Sequence, residues 1–261
     1  MPEGDTVHRT ARRLHRALSG HHLTGSDFRV PQLATTDLTG ALVIETVARG
    51  KHLLTRFGSD EALTLHTHLK MEGSWRVYAR GERWKRPAHQ ARVVLETATY
   101  QAVGFSLGLV ELVPTSQEPD VVGHLGPDLL GPDWDEREAL RRLRDDPTRP
   151  VIEAVLDQTR LAGIGNMYAA ELCFVSGLSP RTPIAEVPDL ARLVRRAKQM
   201  LELNVTRATQ ATTGNLREPF WVYRRDKAPC RRCGTPIAVA MRGEPGRERA
   251  SYWCPSCQAG G

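Results

Sequence analysis

Four cysteines near the end of the chain constrain its fold more than any other feature of the sequence. Cys230 and Cys233 form one Cys-x-x-Cys pair, and Cys254 and Cys257 form a second pair twenty residues later. This separation is typical of a structural zinc site, in which four thiolates complete a tetrahedral shell around the ion. Two disulfides or redox dithiols are the alternative, but the chain has five cysteines and nothing indicates an oxidising compartment. We expect the fifth, Cys173, to be a buried, small apolar residue.

The segment between the two cysteine pairs predicts a zinc-pinned β-hairpin. A β-type run covers 236–240, and a polar turn follows at 243–246. From residue 221 to the end there are eight Lys or Arg and three Asp or Glu, so this region carries +5 of the total charge of +6. A metal-held hairpin rich in arginine suits contact with phosphate groups. The alternative is a solvated basic tail, which would have no use for a rigid metal core.

The rest of the sequence divides into a β-rich part and a helical part, so the fold class is α+β. Asp5 or Thr6 is expected to cap a helix that ends near Leu18. Five β-type segments follow, at 23–30, 41–57, 62–77, 91–99 and 101–113. A helix followed by antiparallel strands predicts a β-sandwich with the N-terminal helix packed against it. Helical patterns then occur at 133–145, 151–158, 167–175 and 189–204.

The domain division that we expect is 1–118, 119–218 and 219–261, and 261 residues suffice for more than one hydrophobic core. No apolar run approaches the ~18 residues of a membrane span. The first residues lack the apolar stretch of a secretory signal. We therefore expect a cytoplasmic protein without membrane association.

The connection 161–166 joins two helical segments and contains Gly163, Gly165 and Asn166. Main-chain amide groups at the start of the second helix can bind an anion, and the Asn166 side chain can add a donor. On this interpretation the segment is a phosphate-binding hairpin. The alternative is an ordinary helix–helix turn in which the glycines only satisfy positive φ angles. The spacing alone favours neither interpretation.

The first residues can also carry chemistry. Removal of Met1 would leave Pro2 with a secondary amine, and α-amino groups titrate near pKa ~8 where lysine titrates near ~10.4. Roughly a tenth of such an amine is therefore free to attack a sugar carbon at neutral pH. Glu3 beside it is a possible proton donor. An inert, frayed terminus is the alternative.

Three further positions stand at bends between β-type segments. Lys51 follows Arg49-Gly50, although a single lysine is usually a surface residue. Met71 lies in a polar turn, where it either inserts between DNA bases as an apolar wedge or folds back onto the sandwich. His66 and His68 could be a metal pair, but no third ligand is evident nearby, so we interpret them as structural histidines.

Five motifs occur together and in order along the chain. They are Met1-Pro2-Glu3-Gly4, Arg49-Gly50-Lys51, the run 68–73 (His-Leu-Lys-Met-Glu-Gly), the run 156–166 (Leu-Asp-Gln to Gly-Ile-Gly-Asn) and the four-cysteine hairpin. This set resembles the formamidopyrimidine-DNA glycosylase/endonuclease VIII family over essentially the whole chain. The Pro-Glu-Gly start and the closing Tyr-Trp-Cys-Pro-Ser-Cys-Gln are more similar to the endonuclease VIII branch.

The resemblance implies a fold and an activity. The helical part would contain a helix–two-turn–helix motif, and a zinc finger would close the chain. The activity would be that of a bifunctional DNA glycosylase and abasic-site (AP) lyase of base excision repair, which removes oxidised bases, mainly pyrimidines. The partner would be DNA with damaged bases or abasic sites, the cofactor one structural Zn²⁺, and the protein a monomer.

The resemblance also implies roles for individual residues. Pro2 would be the nucleophile, Glu3 would protonate the sugar ring oxygen, and Lys51 would transfer a proton as the base departs. Arg249 would bind a phosphate and assist δ-elimination. The DNA-contacting residues would be Asn166, Lys70, Met71, His124, Gly163 and Gly165.

Two of the departures from the family pattern are single residues. Thr6 stands where the family usually has a glutamate, and His124 stands where endonuclease VIII has an arginine. The missing carboxylate leaves an alternative open, in which this chain is a catalytically impaired relative or a zinc-finger protein. Such a protein would bind damaged or single-stranded DNA without cutting it.

Overall fold

The computed structural model describes residues 2–58, 61–243 and 248–258. Contacts between Cα atoms separate two units, residues 1–124 and 125–261. Each unit has its own buried hydrophobic cluster. Among the described residues, no helix is both long and apolar enough to cross a bilayer.

The first unit contains one long helix and two four-stranded antiparallel sheets. The helix is α1 (Gly4–Leu18), and a short helix, α2 (Glu118–Val122), ends the unit. One sheet has the strand order β1-β6-β7-β5 and the other the order β2-β3-β4-β8. The strands are β1 (Gly25–Phe28), β2 (Leu42–Arg49), β3 (His52–Gly58), β4 (Leu63–His68), β5 (Ser74–Ala79), β6 (Ala91–Glu96), β7 (Tyr100–Phe105) and β8 (Leu109–Pro114).

Helix α1 forms because its apolar residues recur every three or four positions on one face. This face packs against β2, β5 and β7. Leu14 and Leu18 are almost fully buried, and each contributes about 1.5–3 kcal/mol by that burial. The helix begins at Gly4 with Glu3 as the preceding extended residue. The predicted cap at Asp5 or Thr6 is therefore wrong, because both residues lie inside the first turn.

Three of the predicted β-type segments each contain two strands: β2 and β3 pair as a hairpin, whereas the two strands of each other segment belong to different sheets. Strands β2 and β3 occupy 41–57, β4 and β5 occupy 62–77, and β7 and β8 occupy 101–113. Each turn contains a residue with a left-handed backbone: Gly50 (φ 58°), Lys70 (φ 52°) and Ser106 (φ 46°). The side-chain pattern continues through these short turns, which is why periodicity alone did not separate the strands.

The second unit is helical and ends in a β-hairpin. Its elements are α3 (Glu136–Arg144), α4 (Val151–Leu156), α5 (Asn166–Ser176), α6 (Leu190–Asn204), β9 (Ala238–Arg242) and β10 (Arg249–Trp253). Asp189 caps α6 by accepting a hydrogen bond from the Arg192 amide (2.7 Å), as the predicted start of that helix requires. Helix α5 packs against α4, α6 and β10, and its residues from Asn166 to Phe174 are all buried.

The element order confirms the predicted α+β fold class: a helix with a β-sandwich, then helices, then a C-terminal hairpin with four cysteines. The threefold domain division at 118 and 218 stays a prediction. The turn expected at 243–246 lies mostly outside the described residues.

Candidate active site and nucleic-acid interface

Pro2 and Glu3 lie at the N-terminal end of α1. Pro2 is partly exposed, whereas Glu3 is fully buried. The Glu3 carbonyl accepts a hydrogen bond from the Val7 amide (3.0 Å), which ties the residue to the first helical turn. An accessible N-terminal residue followed directly by a buried carboxyl group is an unusual pair, since buried carboxyl groups are rare without a structural or chemical role.

Helix α1 and strand β2 run antiparallel. The Gly20 amide, just after the helix, donates to the Val43 carbonyl (2.8 Å) near the start of the strand. Further back along the helix, the Thr46 amide donates to His15 Nδ1 (3.3 Å). Moving along the strand therefore means moving back towards the start of the helix.

This register indicates where Lys51 lies relative to the start of the chain. Lys51 is partly exposed in the turn between β2 and β3. From the His15–Thr46 contact, the helix extends back to Gly4 over about 16 Å, at 1.5 Å per residue. The strand extends forward from Thr46 to Lys51 over about 16 Å as well, at 3.3 Å per residue. Pro2, Glu3 and Lys51 therefore belong to the same end of the first unit.

The turn between β4 and β5 presents Lys70 and Met71. Lys70 has a left-handed backbone (φ 52°), and the Met71 side chain is 62% exposed. This exposure excludes the alternative in which Met71 folds back onto the sandwich. The neighbouring turn packs closely here: the Gly108 amide donates to the His68 carbonyl (3.0 Å), and a Cβ atom at Gly108 would lie 2.2 Å from Lys70 Cγ.

A cluster of four histidines, here called the histidine cluster, lies on the polar face of the sheet that contains β3 and β4. It consists of His52, His66, His68 and His124. His52 Nδ1 is 2.8 Å from His66 Nε2, and His66 Nδ1 is 3.2 Å from an oxygen of Glu111. The ring centroids of His68 and His124 lie 4.9 and 6.3 Å from that of His52.

The cluster extends the pair that the sequence singled out. Both ring nitrogens of His66 have hydrogen-bonding partners, as its interpretation as a structural histidine requires. Among the described residues, the group whose ligand atoms lie close enough together for a metal ion is the set of four cysteines, not these imidazoles. Sequence reasoning missed His52, because only the pairing of β3 with β4 places it opposite His68. It recognised His124, which follows α2, only as a replacement.

The surroundings disfavour the positively charged form of three of these imidazoles, those of His52, His66 and His68. Burial, together with the charges of the neighbouring histidines and Lys70, lowers the pKa of His52 to about 3. Burial and the charges of Lys70 and Lys51 lower the pKa of His68 to about 4. Burial also lowers the pKa of His66, although the Glu111 carboxylate opposes that effect.

The second unit contains a cavity of about 550 Å³ in which the predicted phosphate-binding residues meet. Asn166 and Arg249 both line it, and the Asn166 side-chain amide donates to the Ala250 carbonyl (2.8 Å). Arg149 and Arg242 also line the cavity, and sequence reasoning assigned neither of them to a site. Arg242 is the β-sheet partner of Arg249, a pairing that becomes visible only once the hairpin register is known.

Two acidic residues balance part of this positive charge. Arg149 Nη1 lies 2.6 Å from Asp157, and Arg242 Nη1 lies 3.7 Å from Glu153. Arg249 is exposed at the same cavity. Three arginines and one amide against two carboxylates leave the cavity net positive, which is the electrostatic character of a phosphate site.

The glycines of the 161–166 connection have distinct roles. Gly163 has φ 106°, a conformation that strongly favours glycine, and its amide donates to Gln158 Oε1 (3.1 Å). Gly165 precedes α5 in an extended conformation. The Gln158 side chain also donates to the Leu156 and Ile164 carbonyls, so it organises the turn from within. Phosphate binding by the two glycines stays a prediction.

The four cysteine sulfurs of the hairpin lie within 4.8 Å of one another. Cys233 and Cys254 are separated by 3.4 Å between Sγ atoms, and Cys230 and Cys257 by 3.9 Å. Tetrahedral Zn²⁺ with Zn–S bonds of about 2.3 Å requires sulfurs about 3.8 Å apart. The cluster therefore fits a metal ion of this kind. Cys173, in contrast, is fully buried in the helical core, and burial raises its pKa to about 12.

Glu171, on α5, fixes the chain that enters the four-cysteine hairpin. Its buried carboxylate accepts hydrogen bonds from the main-chain amides of Trp221, Val222 and Tyr223 at 2.8–2.9 Å, and from the Thr212 hydroxyl. Burial raises the pKa of Glu171, and these hydrogen bonds oppose the shift. The contacts make Glu171 a structural residue that holds the 212–223 segment against α5.

Comparison with known proteins agrees with this architecture. The models of the formamidopyrimidine-DNA glycosylase N-terminal domain and H2TH domain match residues 1–106 and 125–215. A probable endonuclease 8 of Streptomyces coelicolor is 55% identical, covering 100% of this chain and 95% of that protein. The DNA-(apurinic or apyrimidinic site) lyase Nei2 of Mycolicibacterium smegmatis is 49% identical, covering 99% of each.

Solved structures show the same fold. The complex between Lactococcus lactis Fpg and abasic-site-containing DNA superposes with a TM-score of 0.79 at 24% identity, covering 99% of this chain and 100% of that one. A helix with a β-sandwich, a helical part and a four-cysteine hairpin define the fold of the Fpg-type DNA glycosylases. The chain belongs to the formamidopyrimidine-DNA glycosylase family, within which its relatives carry the name endonuclease 8.

Proposed function

We propose that this protein is a bifunctional DNA glycosylase and AP lyase of base excision repair, which removes oxidised bases, mainly pyrimidines, and then cuts the strand by β,δ-elimination. One observation carries the proposal: partly exposed Pro2 precedes the fully buried carboxyl group of Glu3, at the same end of the unit as Lys51. The relatives named endonuclease 8 and AP lyase, at 49–55% identity, support the same activity.

The first step is formation of a covalent bond between the protein and the sugar. Once Met1 is removed, the Pro2 nitrogen attacks C1′ of the damaged nucleotide, and the bond between C1′ and the base breaks. The departing base takes a proton, for which Lys51 is the donor. The Pro2 nitrogen releases its hydrogen to solvent, and Glu3 donates a proton to the ring oxygen O4′, so that the C1′–O4′ bond breaks, the sugar opens and an iminium ion links C1′ to Pro2.

The iminium then drives strand cleavage. It acidifies the C2′ proton, and loss of that proton expels the 3′ phosphate as the C3′–O bond breaks. Loss of the C4′ proton next expels the 5′ phosphate in the same manner, and Arg249 would stabilise the leaving phosphate. Hydrolysis of the remaining iminium by water frees Pro2 and releases the sugar fragment.

The DNA-contacting residues would make the target base accessible. A base inside the stack is out of reach, and flipping it costs a few kcal/mol. The arginine-lined cavity with Asn166 and Arg249 would offset this cost by binding phosphates. Met71 would fill the gap between base steps, with Lys70 beside it. His124 and the glycines Gly163 and Gly165 would add contacts to the DNA backbone.

We assign the four cysteines to one structural Zn²⁺, which would hold the hairpin of Arg249 in place and take no part in bond breaking. Four thiolates leave no open coordination position for catalysis. The domain division 1–118, 119–218 and 219–261 would then separate the catalytic, helix–two-turn–helix and zinc-finger parts. A monomer acting in the reducing cytoplasm is the simplest setting for such a thiolate site.

A strand-cleavage assay tests this function. The protein is incubated with duplexes that contain an oxidised pyrimidine such as thymine glycol, or a preformed abasic site. We expect cleavage of both, with phosphate on both sides of the gap. DNA binding without cleavage would favour the alternative, a non-cutting damage-binding protein with Thr6 in place of the family glutamate.

Glu3→Gln separates the two activities within that assay. The sugar of an abasic site opens to an aldehyde by its own equilibrium, so the amine can react with that form without protonation of O4′ by the protein. The variant should therefore lose base removal and keep cleavage at abasic sites. Equal loss of both activities would contradict the role assigned to Glu3.

A further inference from the structure

Three side chains on neighbouring strands form a continuous hydrogen-bonded chain. The Glu111 carboxylate on β8 contacts His66 Nδ1 on β4 (3.2 Å), and His66 Nε2 contacts His52 Nδ1 on β3 (2.8 Å). His66 is buried, while the Glu111 side chain is 42% exposed and His52 is partly exposed. The chain therefore connects two solvent-accessible groups through a buried imidazole, and none of the three residues has a part in the reaction described above.

The order of donors fixes the tautomer of each ring. A carboxylate accepts hydrogen bonds, so His66 Nδ1 carries the proton that faces Glu111. In a neutral His66 the other nitrogen, Nε2, is then an acceptor, and His52 Nδ1 must donate to it. Neutral His52 therefore has a proton on Nδ1 and a bare lone pair on Nε2.

His68 is fixed in the opposite tautomer. Its Nδ1 accepts a hydrogen bond from the Lys70 amide (2.9 Å), so the proton of the neutral ring is on Nε2. Protonation of His68 would break this hydrogen bond and disturb the turn that carries Lys70. The hydrogen bond from Lys70 thus keeps His68 neutral, with its proton on Nε2, whereas the tautomer of His52 can change.

One added proton switches the outer nitrogen of His52. If His66 becomes an imidazolium, both of its nitrogens donate, and His52 Nδ1 turns into an acceptor. The proton of His52 then resides on Nε2, which becomes a donor. Glu111 stabilises the positive charge on His66, in the way that a carboxylate stabilises an imidazolium in a relay.

The charges around the cluster favour an anion as the ligand that triggers this switch. The groups facing His52, His66 and His68 come from the strands, the two adjacent turns and the segment after β8. They are His124, Lys51, Lys70, Glu111 and Glu118. Lys51 and Lys70 lie in the turns next to His68, and their positive charges act on its ring. The Glu118 carboxylate, in contrast, is paired with Arg56 (2.7 Å) and accepts a hydrogen bond from Thr64 (2.6 Å).

We propose that Glu111, His66 and His52 form a proton-coupled phosphate site, in which a DNA phosphodiester accepts a hydrogen bond from His52 Nε2 while His66 takes up a proton from solvent. The inference rests on the proposed function, because DNA is the ligand, and adds a proton to the stoichiometry of binding. A phosphate oxygen only accepts hydrogen bonds, so it requires the switched tautomer. Its negative charge also offsets the burial and the neighbouring positive charges that disfavour a cation in this cluster.

The pKa directions agree with this sequence of events. Burial lowers the pKa of His52 to about 3 and lowers that of His66 as well, so both rings are uncharged in the free protein at neutral pH and can take up an additional proton. Proton uptake on binding means that affinity falls as pH rises. One coupled proton corresponds to a Kd that increases by up to about tenfold per pH unit.

Isothermal titration calorimetry with a duplex that contains a tetrahydrofuran abasic analogue tests the proposal. Titrations in buffers of different ionisation enthalpy, at fixed salt, measure the number of protons taken up. We expect about 0.5 to 1 proton per complex near pH 7 for the wild type and close to zero for Glu111→Gln. Glu82→Gln, in the turn after β5, removes a charge elsewhere in the same unit and should keep the uptake.

Equal proton uptake by the wild type and Glu111→Gln would overturn the proposal, as would binding by the wild type without any uptake. Nitrogen-15 spectra of the wild-type imidazoles provide a second readout that needs no variant. They should show His52 protonated on Nδ1 in the free protein and on Nε2 in the complex, and an unchanged tautomer contradicts the switch. Cleavage of abasic DNA without proton uptake rejects this inference alone, whereas failure to bind or cut such DNA rejects the proposed function as well.

Discussion

The side-chain amide of Asn166 donates a 2.8 Å hydrogen bond to the main-chain carbonyl of Ala250, 84 residues later in the chain. Asn166 is the first residue of α5, and Ala250 follows Arg249 in β10. One hydrogen of the amide group is thus used to hold the hairpin, and the other is available for a ligand in the cavity. Asn166 therefore positions the strand of Arg249 as well as lining the cavity that we propose as a phosphate site.

Asn166→Asp tests this double role. The substitution keeps the size of the side chain, but it removes the donor to Ala250 and places a negative charge in a phosphate site. We expect DNA affinity to fall by about tenfold to a hundredfold, or about 1.4–2.8 kcal/mol, as measured by fluorescence anisotropy. Asn215→Asp is the matched control, because the exposed Asn215 side chain accepts from the Arg217 amide and aspartate can do the same. Equal losses in the two variants would contradict the assignment.

The four-cysteine hairpin should be required for DNA binding and not for folding of the β-sandwich. Cys257→Ser removes one of four thiolates, and we expect the metal content to fall from one ion per chain with loss of DNA affinity. Cys173→Ala is the control, because that cysteine lies in the helical core and should leave the metal content unchanged. Metal analysis and DNA binding on the same preparations check both. Full DNA affinity in metal-free Cys257→Ser would show that the hairpin is dispensable.

Gly108 controls the turn that carries Lys70 and Met71. A Cβ atom at residue 108 would lie 2.2 Å from Lys70 Cγ and 2.7 Å from Lys70 Cβ, so the turn must move in Gly108→Ala. We expect a loss of about 1–3 kcal/mol in the free energy of unfolding, typical of overpacking, and a three- to tenfold loss of DNA affinity. At Gly25 an added Cβ meets its nearest atom at 3.5 Å, so Gly25→Ala should leave DNA binding unchanged.

The histidine cluster makes stability depend on pH. The folded pKa values of His52 (about 3) and His68 (about 4) lie below the usual 6.5, so the unfolded state binds more protons and stability falls as pH drops below 6.5. At pH 5 each ring would cost up to about 2 kcal/mol, and partial exposure with mutual coupling reduces the total to about 2–3 kcal/mol.

Urea unfolding at pH 7 and pH 5 measures this loss. His52→Gln should remove about half of the difference, whereas His89→Gln, at an exposed position, should keep all of it. Metal content is followed in parallel, so that any release of zinc at the lower pH is separated from imidazole protonation. An identical pH dependence in wild type and His52→Gln would contradict the assigned pKa shift.

The sequence predicted the features that depend on local spacing. Cysteine pairs separated by two residues can place thiolates around one ion whatever the rest of the chain does, and the apolar period of α1 specifies a buried face. The motifs at Pro2, Lys51 and Asn166 were recognised because each lies in a short continuous run.

Features that depend on pairing between distant strands were not predictable in this way. His52 and Glu111 are 59 positions apart, and they meet His66 only because β3, β4 and β8 adopt one particular register. Arg242 faces the Asn166 cavity for the same reason, as the sheet partner of Arg249. The β2–β3 hairpin was read as one segment since its turn, at Gly50 and Lys51, interrupts the alternation for only two residues.

The most direct test of the proposed chemistry is borohydride trapping on abasic-site DNA, followed by mass spectrometry of the trapped peptide. Reduction converts the iminium to a stable amine, so the DNA fragment remains attached at the atom that attacked C1′. The mechanism predicts one covalent adduct, mapped to the nitrogen of Pro2 in chains that lack Met1. A trapped adduct in Pro2→Gly is compatible with this mechanism, since a terminal amine remains in that variant. An adduct mapped to a lysine side chain would contradict the mechanism. The absence of any adduct from a preparation that cuts the DNA would contradict it as well.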